Sequence, residues 1–262
     1  MSLRYILGAI ISFPLLPLLF LQGKKIRKET PRLPEAKNPK GYLKTDSKKT
    51  LKVIFIGEST IAGVGVDYHK NGFPGALVQR ISDTTGVSVL WKVYARSGYT
   101  AKLVRKRLVP KIEEANADAI VICLGGNDAF TLNTPNLWMF QINKLIRELK
   151  LKFPKTPIYF TNMPPIKEFP AFTKTIKFVI GNLVEILGKR LNRRVKKKSN
   201  VHYNSEIVTL KDWKEKHNID GDVSSFFSDG VHPSKLSYQV WGKDMADFIL
   251  NTRSFKLWLQ KK

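Results

Sequence analysis

From residue 51 onward, short apolar segments alternate with longer segments in which apolar residues recur every three or four positions. The short segments predict buried strands at Leu51 to Ile56, Val87 to Ala95, Ala119 to Leu124, Pro157 to Thr161 and Val201 to Asn204. The longer segments predict helices at Gly75 to Ile81, Ala101 to Glu114, Leu137 to Leu151 and Phe172 to Lys197. Because such alternation is typical of parallel strands joined by helical crossovers, we predict an α/β fold with a central sheet of about five parallel strands.

The N-terminus departs from this pattern with nineteen uncharged, mostly apolar residues from Tyr5 to Gly23. As a helix this run would be about 28 Å long, close to the thickness of a bilayer's hydrocarbon core. Pro14 and Pro17 would kink that helix and allow a shallow or re-entrant segment. The run ends directly before Lys24 without a small-residue cleavage site, so we predict an uncleaved membrane anchor over residues 1–23.

Residues 24–50 are rich in lysine, proline and polar side chains, which favours a basic linker near a membrane surface. Residues 51–262 are then predicted to form one folded domain. Because the cations follow the apolar run, the positive-inside rule places this domain in the cytoplasm.

The chain carries 45 Lys+Arg against 21 Asp+Glu, a formal net charge of +24. Such a charge attracts polyanions, either anionic lipid or nucleic acid. The densest basic run, residues 189–198, reads GKRLNRRVKKKSN with its flanks, and it is also compatible with a solvated helix end. No nucleic-acid motif accompanies it, so the sequence favours an anionic membrane surface as the partner.

Candidate chemistry begins at GESTIAGVG, residues 57–65, which follows the first predicted strand. At the carboxyl end of that strand, Ser59 would lie where open parallel sheets bind ligands. The flanking glycines allow a tight turn and close approach of the backbone. A serine is a poor nucleophile by itself, so it requires a base within reach.

His232 is the histidine whose surroundings fit that base. It follows Asp229 by three residues in the sequence DGVHP, and the intervening glycine lets the carboxylate fold back onto the ring. The other three histidines, His69, His202 and His217, lie in polar or charged surroundings and are expected at the surface.

A developing negative charge on a substrate oxygen also needs hydrogen-bond donors. Asn127 follows the third predicted strand, in ICLGGNDAF, and offers a side-chain amide. Gly98, in ARSGYTA after the second strand, offers a bare backbone N–H, and the N–H of Ser59 makes a third donor. The sequence therefore predicts an oxyanion site formed by Ser59, Gly98 and Asn127.

These four blocks, in this order, resemble the SGNH (GDSL-type) hydrolase family over residues 52–250. The resemblance implies a flavodoxin-like three-layer fold and a serine esterase or lipase that needs no metal or cofactor. It assigns Ser59 as nucleophile, His232 as base and Asp229 as the group that orients the base. Its implied substrates are acyl esters, including lipid-derived ones.

Two features leave alternatives open. Glu58 stands where the family more often has Asp, so the hydrogen bonds of the turn are expected to differ. In TNMPPIKEFP, Met163, Pro164 and Ile166 could line an acyl pocket or simply form a rigid connection. A carbohydrate or cell-wall O-deacetylase or acyltransferase would use the same residues, and a basic membrane- or nucleic-acid-binding protein with an inactive site is the non-enzymatic alternative.

Overall fold

The computed structural model describes residues 3–260, which contain one six-stranded sheet. The strands are β1 (Lys40–Leu43), β2 (Thr50–Gly57), β3 (Ser88–Ala95), β4 (Ala119–Cys123), β5 (Ile158–Phe160) and β6 (Val201–Tyr203). Their order in the sheet is β1-β3-β2-β4-β5-β6. Strands β2 to β6 pair in parallel and β1 pairs antiparallel with β3. The predicted α/β fold around about five parallel strands is confirmed, and β1 is an antiparallel addition at the edge.

Eleven α-helices accompany the sheet in residues 3–260. They are α1 (Leu3–Ser12), α2 (Leu16–Glu29), α3 (Ser59–Ala62), α4 (Phe73–Thr85), α5 (Ala101–Arg107), α6 (Gly126–Phe130), α7 (Pro135–Lys152), α8 (Lys174–Val195), α9 (Leu210–His217), α10 (Lys235–Asn251) and α11 (Arg253–Gln260). Hydroxyl side chains at Thr134, Thr173 and Ser234 accept backbone N–H groups at the starts of α7, α8 and α10. Helix α5 ends at Arg107, short of the predicted Glu114, because Pro110 cannot continue an α-helix.

The helices cover both faces of the sheet and bury two apolar clusters. Successive residues of β2 alternate between them, with Ile54 and Ile56 in the cluster under α5, α7 and α8, and Val53 and Phe55 in the cluster under α4 and α10. This alternation follows from the two-residue period of a strand. Since both faces are covered, β2 and β4 consist almost entirely of buried residues.

Strand order reverses at β2, because β3 lies on one side of it and β4 on the other. Connections that leave the sheet in opposite directions at such a point leave a crevice beyond the carboxyl ends of the strands. The loops after β2, β3 and β4 therefore come together there.

The N-terminal helices α1 and α2 are joined by a single 3-10 turn at Phe13–Leu15, so that Leu3–Glu29 forms one helical segment of 27 residues. This segment runs antiparallel to α8. Arg4 lies 3.0 Å from Glu185, and the Thr173 hydroxyl donates to Gln22 Oε1 over 2.7 Å. It is long and apolar enough to cross a bilayer, a property that N-terminal signal sequences share.

Residues 24–50, predicted as a linker, hold more regular structure than a linker would. Helix α2 continues to Glu29, and Lys40–Leu43 forms β1 against β3. The hydrophobic pattern missed β1 because the strand lies at the sheet edge and none of its residues is fully buried.

Candidate active site

Ser59 is the first residue of α3 and follows β2 after a single intervening residue. We call residues 58–66 the serine loop. Gly57 ends β2 in a crowded position, since a Cβ there would lie 2.7 Å from the carbonyl oxygen of Cys123. Gly63 ends α3 with a φ of 68°, in the left-handed region that glycine tolerates best. These two glycines turn the chain sharply enough to hold Ser59 at the carboxyl edge of the sheet.

His232 lies in residues 227–234, the histidine loop, and is held by Asp229. Asp229 Oδ2 lies 2.7 Å from His232 Nδ1, while Oδ1 accepts the backbone N–H groups of Val231 and His232 at 2.9 Å and 2.7 Å. Burial would raise the pKa of Asp229, but the hydrogen bonds from His232 outweigh it and lower the pKa. An ionised Asp229 keeps the proton on Nδ1, which leaves Nε2 as the ring nitrogen that can accept a proton.

The serine loop is hydrogen-bonded to α10 and to the histidine loop, although both are far from it in sequence. The buried Tyr238 hydroxyl donates to the Val64 carbonyl over 2.7 Å. The Ser228 hydroxyl lies 3.2 Å from the Gly65 carbonyl. Gly65 has a φ of +101°, and a Cβ there would lie 2.6 Å from Ser228 Oγ, so the two loops meet at a position that requires glycine.

Glu58 connects the serine loop to the loop after β4. Its side chain is buried, and its two oxygens accept the backbone N–H groups of Gly126 and Asn127, each at 2.9 Å. Burial raises the pKa of Glu58 to about 8, although the hydrogen bond from the Asn127 N–H opposes the rise. A single carboxyl group thus fixes the start of α6 against the residue before Ser59.

Asn127 and Gly98 lie on neighbouring loops. The Asn127 side-chain amide donates to the Tyr99 carbonyl over 3.1 Å, and it also interacts with the Glu58 carboxyl group, where it opposes the rise in pKa. Gly98 has a φ of +79°, and its N–H has no partner among residues 3–260. The buried Asp128 braces the same region by accepting the N–H of Ala101 at the start of α5.

Most of the predicted site residues line one cavity of about 1080 Å³. Ser59, Gly98, Asn127 and His232 all line it, while Asp229 lies behind His232. Within the described residues, the Ser59 hydroxyl forms no hydrogen bond with His232, so the structure places these two groups on one cavity without joining them. Hydrogen bonds of this kind often tighten only when substrate binds.

The residues of the loop after β5 differ in which cavity they line. Pro164 and Ile166 line the large cavity, whereas Met163 lies on a smaller neighbouring one of about 310 Å³. Two of the three residues considered for an acyl pocket therefore face the cavity that contains Ser59.

The remaining histidines do not line this cavity. The expectation that His69 is at the surface was wrong, because it is buried with Nδ1 3.0 Å from the Lys37 carbonyl oxygen, and burial lowers its pKa. His202 stacks on Tyr159 and His217 contacts Asp244.

Sequence reasoning also missed two buried carboxyl groups. It treated Glu58 as a variation in the turn and did not consider Asp128, yet these groups set the positions of α6 and α5. The sequence signal that could have indicated them was an acidic residue directly beside the end of a buried strand. A carboxyl group buried at such a position needs hydrogen-bond donors.

Comparison with known proteins agrees with this arrangement. The structure is similar to the lipase Lip_vut3 from a goat rumen metagenome, with a TM-score of 0.57 and 17% identity, covering 78% of this chain and 99% of the other. It is similar to TesA, with a TM-score of 0.53 and 19% identity over 78% and 98% of the two chains. It is also similar to a family 3 carbohydrate esterase from Clostridium thermocellum, with a TM-score of 0.52 and 16% identity over 80% and 98%. At these identities the similarity concerns the fold.

Comparison of the sequence identifies the family more firmly than comparison of the structure. No curated protein sequence matches the chain significantly. The sequence model of the GDSL-like lipase/acylhydrolase family, however, matches residues 55–240, a span that includes the serine loop, the loops after β3 and β4, and the histidine loop. The chain therefore belongs to the GDSL-like lipase/acylhydrolase family, which also carries the name SGNH.

Proposed function

We propose that the protein is a membrane-associated serine esterase that hydrolyses acyl esters, with Ser59, His232 and Asp229 as its catalytic triad. The observation that carries this proposal is the Asp229–His232 pair, with a 2.7 Å contact, on the same cavity as Ser59. The apolar character of that cavity supports an acyl chain as the bound group. Its walls include Phe130, Leu132, Phe169, Phe172, Ile176 and Ile180.

In the proposed reaction, Ser59 Oγ attacks the ester carbonyl carbon as its proton passes to His232 Nε2. The negative oxygen of the tetrahedral intermediate accepts hydrogen bonds from the N–H groups of Ser59 and Gly98 and from the Asn127 amide. The intermediate collapses, the C–O bond to the alcohol breaks, and the alcohol takes the proton from His232. Water then attacks the acyl-serine by the same route, which releases the carboxylic acid and restores Ser59. Asp229 stabilises the imidazolium in both halves.

The test is hydrolysis of p-nitrophenyl esters of short and medium chain length by the full-length protein and by Ser59→Ala. We expect kcat to fall by about 10⁴-fold or more in the variant. We also expect a fluorophosphonate probe to label the wild-type protein at Ser59 with one-to-one stoichiometry. Full activity in Ser59→Ala would disprove the assignment of the nucleophile.

We further propose that the N-terminal segment attaches the enzyme to a membrane in a shallow position. Tyr5, Leu15, Leu19 and Ile26 pack against the protein core, while much of the remaining surface of the segment is apolar and exposed. The large exposed residues are Leu3, Ile6, Leu7, Ile10, Ile11, Phe13, Leu18, Phe20 and Leu21. A helix that lies along α8 cannot cross a bilayer at the same time, so its outer side would enter the lipid.

The cations that follow this segment favour an anionic leaflet, and the cytoplasmic leaflet is the anionic one. We therefore propose a cytoplasmic location for the catalytic domain. The basic side chains between Lys189 and Lys198, at the end of α8 and just beyond it, are mostly exposed and would add to the attraction. Flotation with anionic liposomes that weakens in high salt supports this partner, whereas salt-sensitive binding to DNA but not to liposomes would contradict it.

A second candidate activity, O-deacetylation of a carbohydrate, is favoured by the similarity to carbohydrate esterases from Clostridium thermocellum. Release of acetate from acetylated oligosaccharides, compared with hydrolysis of a long-chain ester under the same conditions, separates the two. We expect the long-chain ester to be preferred because the cavity wall is largely apolar.

A further inference from the structure

The N-terminal helix forms part of the wall of the cavity that contains Ser59. Residues of α2 and of the segment after it line this cavity beside the candidate catalytic residues. They are Leu16, Leu19, Phe20, Gly23, Lys24, Ile26, Arg27, Thr30, Pro31, Arg32 and Leu33. The segment is held in this position by the contacts of Arg4 and Gln22 with α8. The proposed membrane-attachment element and the proposed substrate site thus share one surface.

The wall has an apolar part that suits a hydrocarbon chain. Phe172 contacts Phe130 and Phe169, with ring centroids 5.3 Å and 5.2 Å apart, and α2 adds Leu16 and Leu19 to the same cavity. A volume of about 1080 Å³ is slightly above the usual range for small-molecule sites, about 300–1,000 Å³. The cavity therefore has room for an acyl chain together with a head group.

The wall also has a charged part, and its charge is unbalanced. Lys24, Arg27 and Arg32 line the cavity, are exposed, and pair with no carboxylate within residues 3–260. The one acidic residue of the lining is Glu58, which is buried and already occupied by two backbone N–H groups. A bound molecule would therefore meet three cations and no competing surface anion.

We propose that Lys24, Arg27 and Arg32 bind the anionic head group of the substrate, so that the enzyme prefers acyl esters bearing a phosphate over neutral acylglycerols. This inference rests on the proposed esterase function. Guanidinium groups bind phosphate oxygens through paired hydrogen bonds, and a lysine adds a compact positive charge. Lys24 also follows the apolar run directly, so these cations lie beside the segment that we propose contacts lipid.

The experiment compares two double variants of the full-length protein in a neutral detergent. Lys24→Gln/Arg27→Gln removes two cations from the cavity wall. Lys25→Gln/Lys28→Gln removes two cations from the same helix at positions that do not line the cavity. Each protein is assayed with lysophosphatidylglycerol, with monoacylglycerol of the same chain length, and with p-nitrophenyl butyrate.

We expect Lys24→Gln/Arg27→Gln to lose about tenfold or more in kcat/KM on lysophosphatidylglycerol, because it removes two of the three charge-assisted contacts proposed for the phosphate. Its activity on the two neutral esters and all activities of the control pair should change by less than about twofold. Equal losses in both pairs, or equal losses on all three substrates, would overturn the proposal. Because Arg32 lies outside α2, Arg32→Gln repeats the test without altering the helix, and an unchanged preference in that variant would also count against it.

The wall contributed by α2 has its own test. Leu19→Trp should fill the cavity and lower activity on a 16-carbon ester while sparing the butyrate, whereas Leu21→Trp, on the exposed side, should spare both. An unchanged long-chain activity in Leu19→Trp would mean that α2 is not part of the site. If the wild-type protein hydrolyses none of these esters and Ser59 resists fluorophosphonate, the proposed function itself fails. If it hydrolyses the butyrate but prefers the neutral lipid, only the present inference fails.

Discussion

Replacing Glu58 by Gln should increase stability relative to the wild type as pH rises, and should lower activity at every pH. Glu58 is buried, and its pKa is raised from the ordinary 4.5 to about 8, chiefly by burial. A carboxyl group whose pKa is higher in the folded protein than in the unfolded chain stabilises the fold fully below pH 4.5. That contribution is lost as pH rises through about 8.

The size of the effect follows from the two pKa values. The difference between about 8 and 4.5 corresponds to about 5 kcal/mol in total, of which about 4 kcal/mol would be lost between pH 5 and pH 9. Glutamine stays neutral over this range and does not share the loss. The stability of Glu58→Gln minus that of the wild type should therefore increase by about 4 kcal/mol from pH 5 to pH 9. For a domain of this size the increase corresponds to roughly 8–16 °C in Tm.

The esterase activity of Glu58→Gln, in contrast, should be lower than that of the wild type. The two Glu58 oxygens accept the N–H groups of Gly126 and Asn127, but a glutamine amide has only one oxygen and turns its NH₂ toward the second donor. An unsatisfied buried donor costs about 1–3 kcal/mol, and displacement of Asn127 would weaken the proposed oxyanion site. We expect kcat/KM to fall by about 10- to 100-fold at every pH at which the protein is folded.

The assay is thermal unfolding of both proteins at pH 5, 7 and 9, together with p-nitrophenyl ester hydrolysis at the same pH values. Glu58→Asp keeps an ionisable carboxyl group on a shorter side chain and serves as the comparison. If the stabilities of the wild type and Glu58→Gln run parallel with pH, the pKa of Glu58 is the same in the folded and unfolded protein, and burial does not raise it. If Glu58→Gln retains full activity, Asn127 does not depend on Glu58 for its position.

The remaining predictions concern the histidine loop. Asp229→Asn should keep the loop folded, because the amide oxygen can still accept the two backbone N–H groups. We expect kcat to fall by about 10³- to 10⁴-fold, because the amide favours the wrong tautomer of His232. A near-normal kcat at an unchanged Tm would contradict the proposed role of Asp229. Gly65→Ala should lower both Tm and activity, because its φ is +101° and a Cβ would lie 2.6 Å from Ser228 Oγ. Gly86→Ala, with a φ of +71° and open space around it, should cost only about 1 kcal/mol and leave kcat unchanged, and equal effects of the two alanines would refute the explanation.

The sequence alone determined the alternation of strands and helices, because burial on both sides of a parallel sheet requires continuous apolar runs that can be seen in the chain. It also located the four blocks with Ser59, Gly98, Asn127 and His232, because glycine and polar residues at the ends of such runs are local features. Asp229 was found for a similar reason, since its hydrogen bond to His232 spans only three residues.

Only the tertiary structure decided which of these groups line the same cavity. Three features join residues that are distant along the chain, so no local pattern indicates them. They are the pairing of edge strand β1, the link from Glu58 to the start of α6, and the contact between Gly65 and Ser228. The same holds for the N-terminal helix. Its composition predicted contact with lipid, but only its packing along α8 puts Lys24 and Arg27 on the cavity of Ser59, because packing between helices is fixed by the surfaces of both partners.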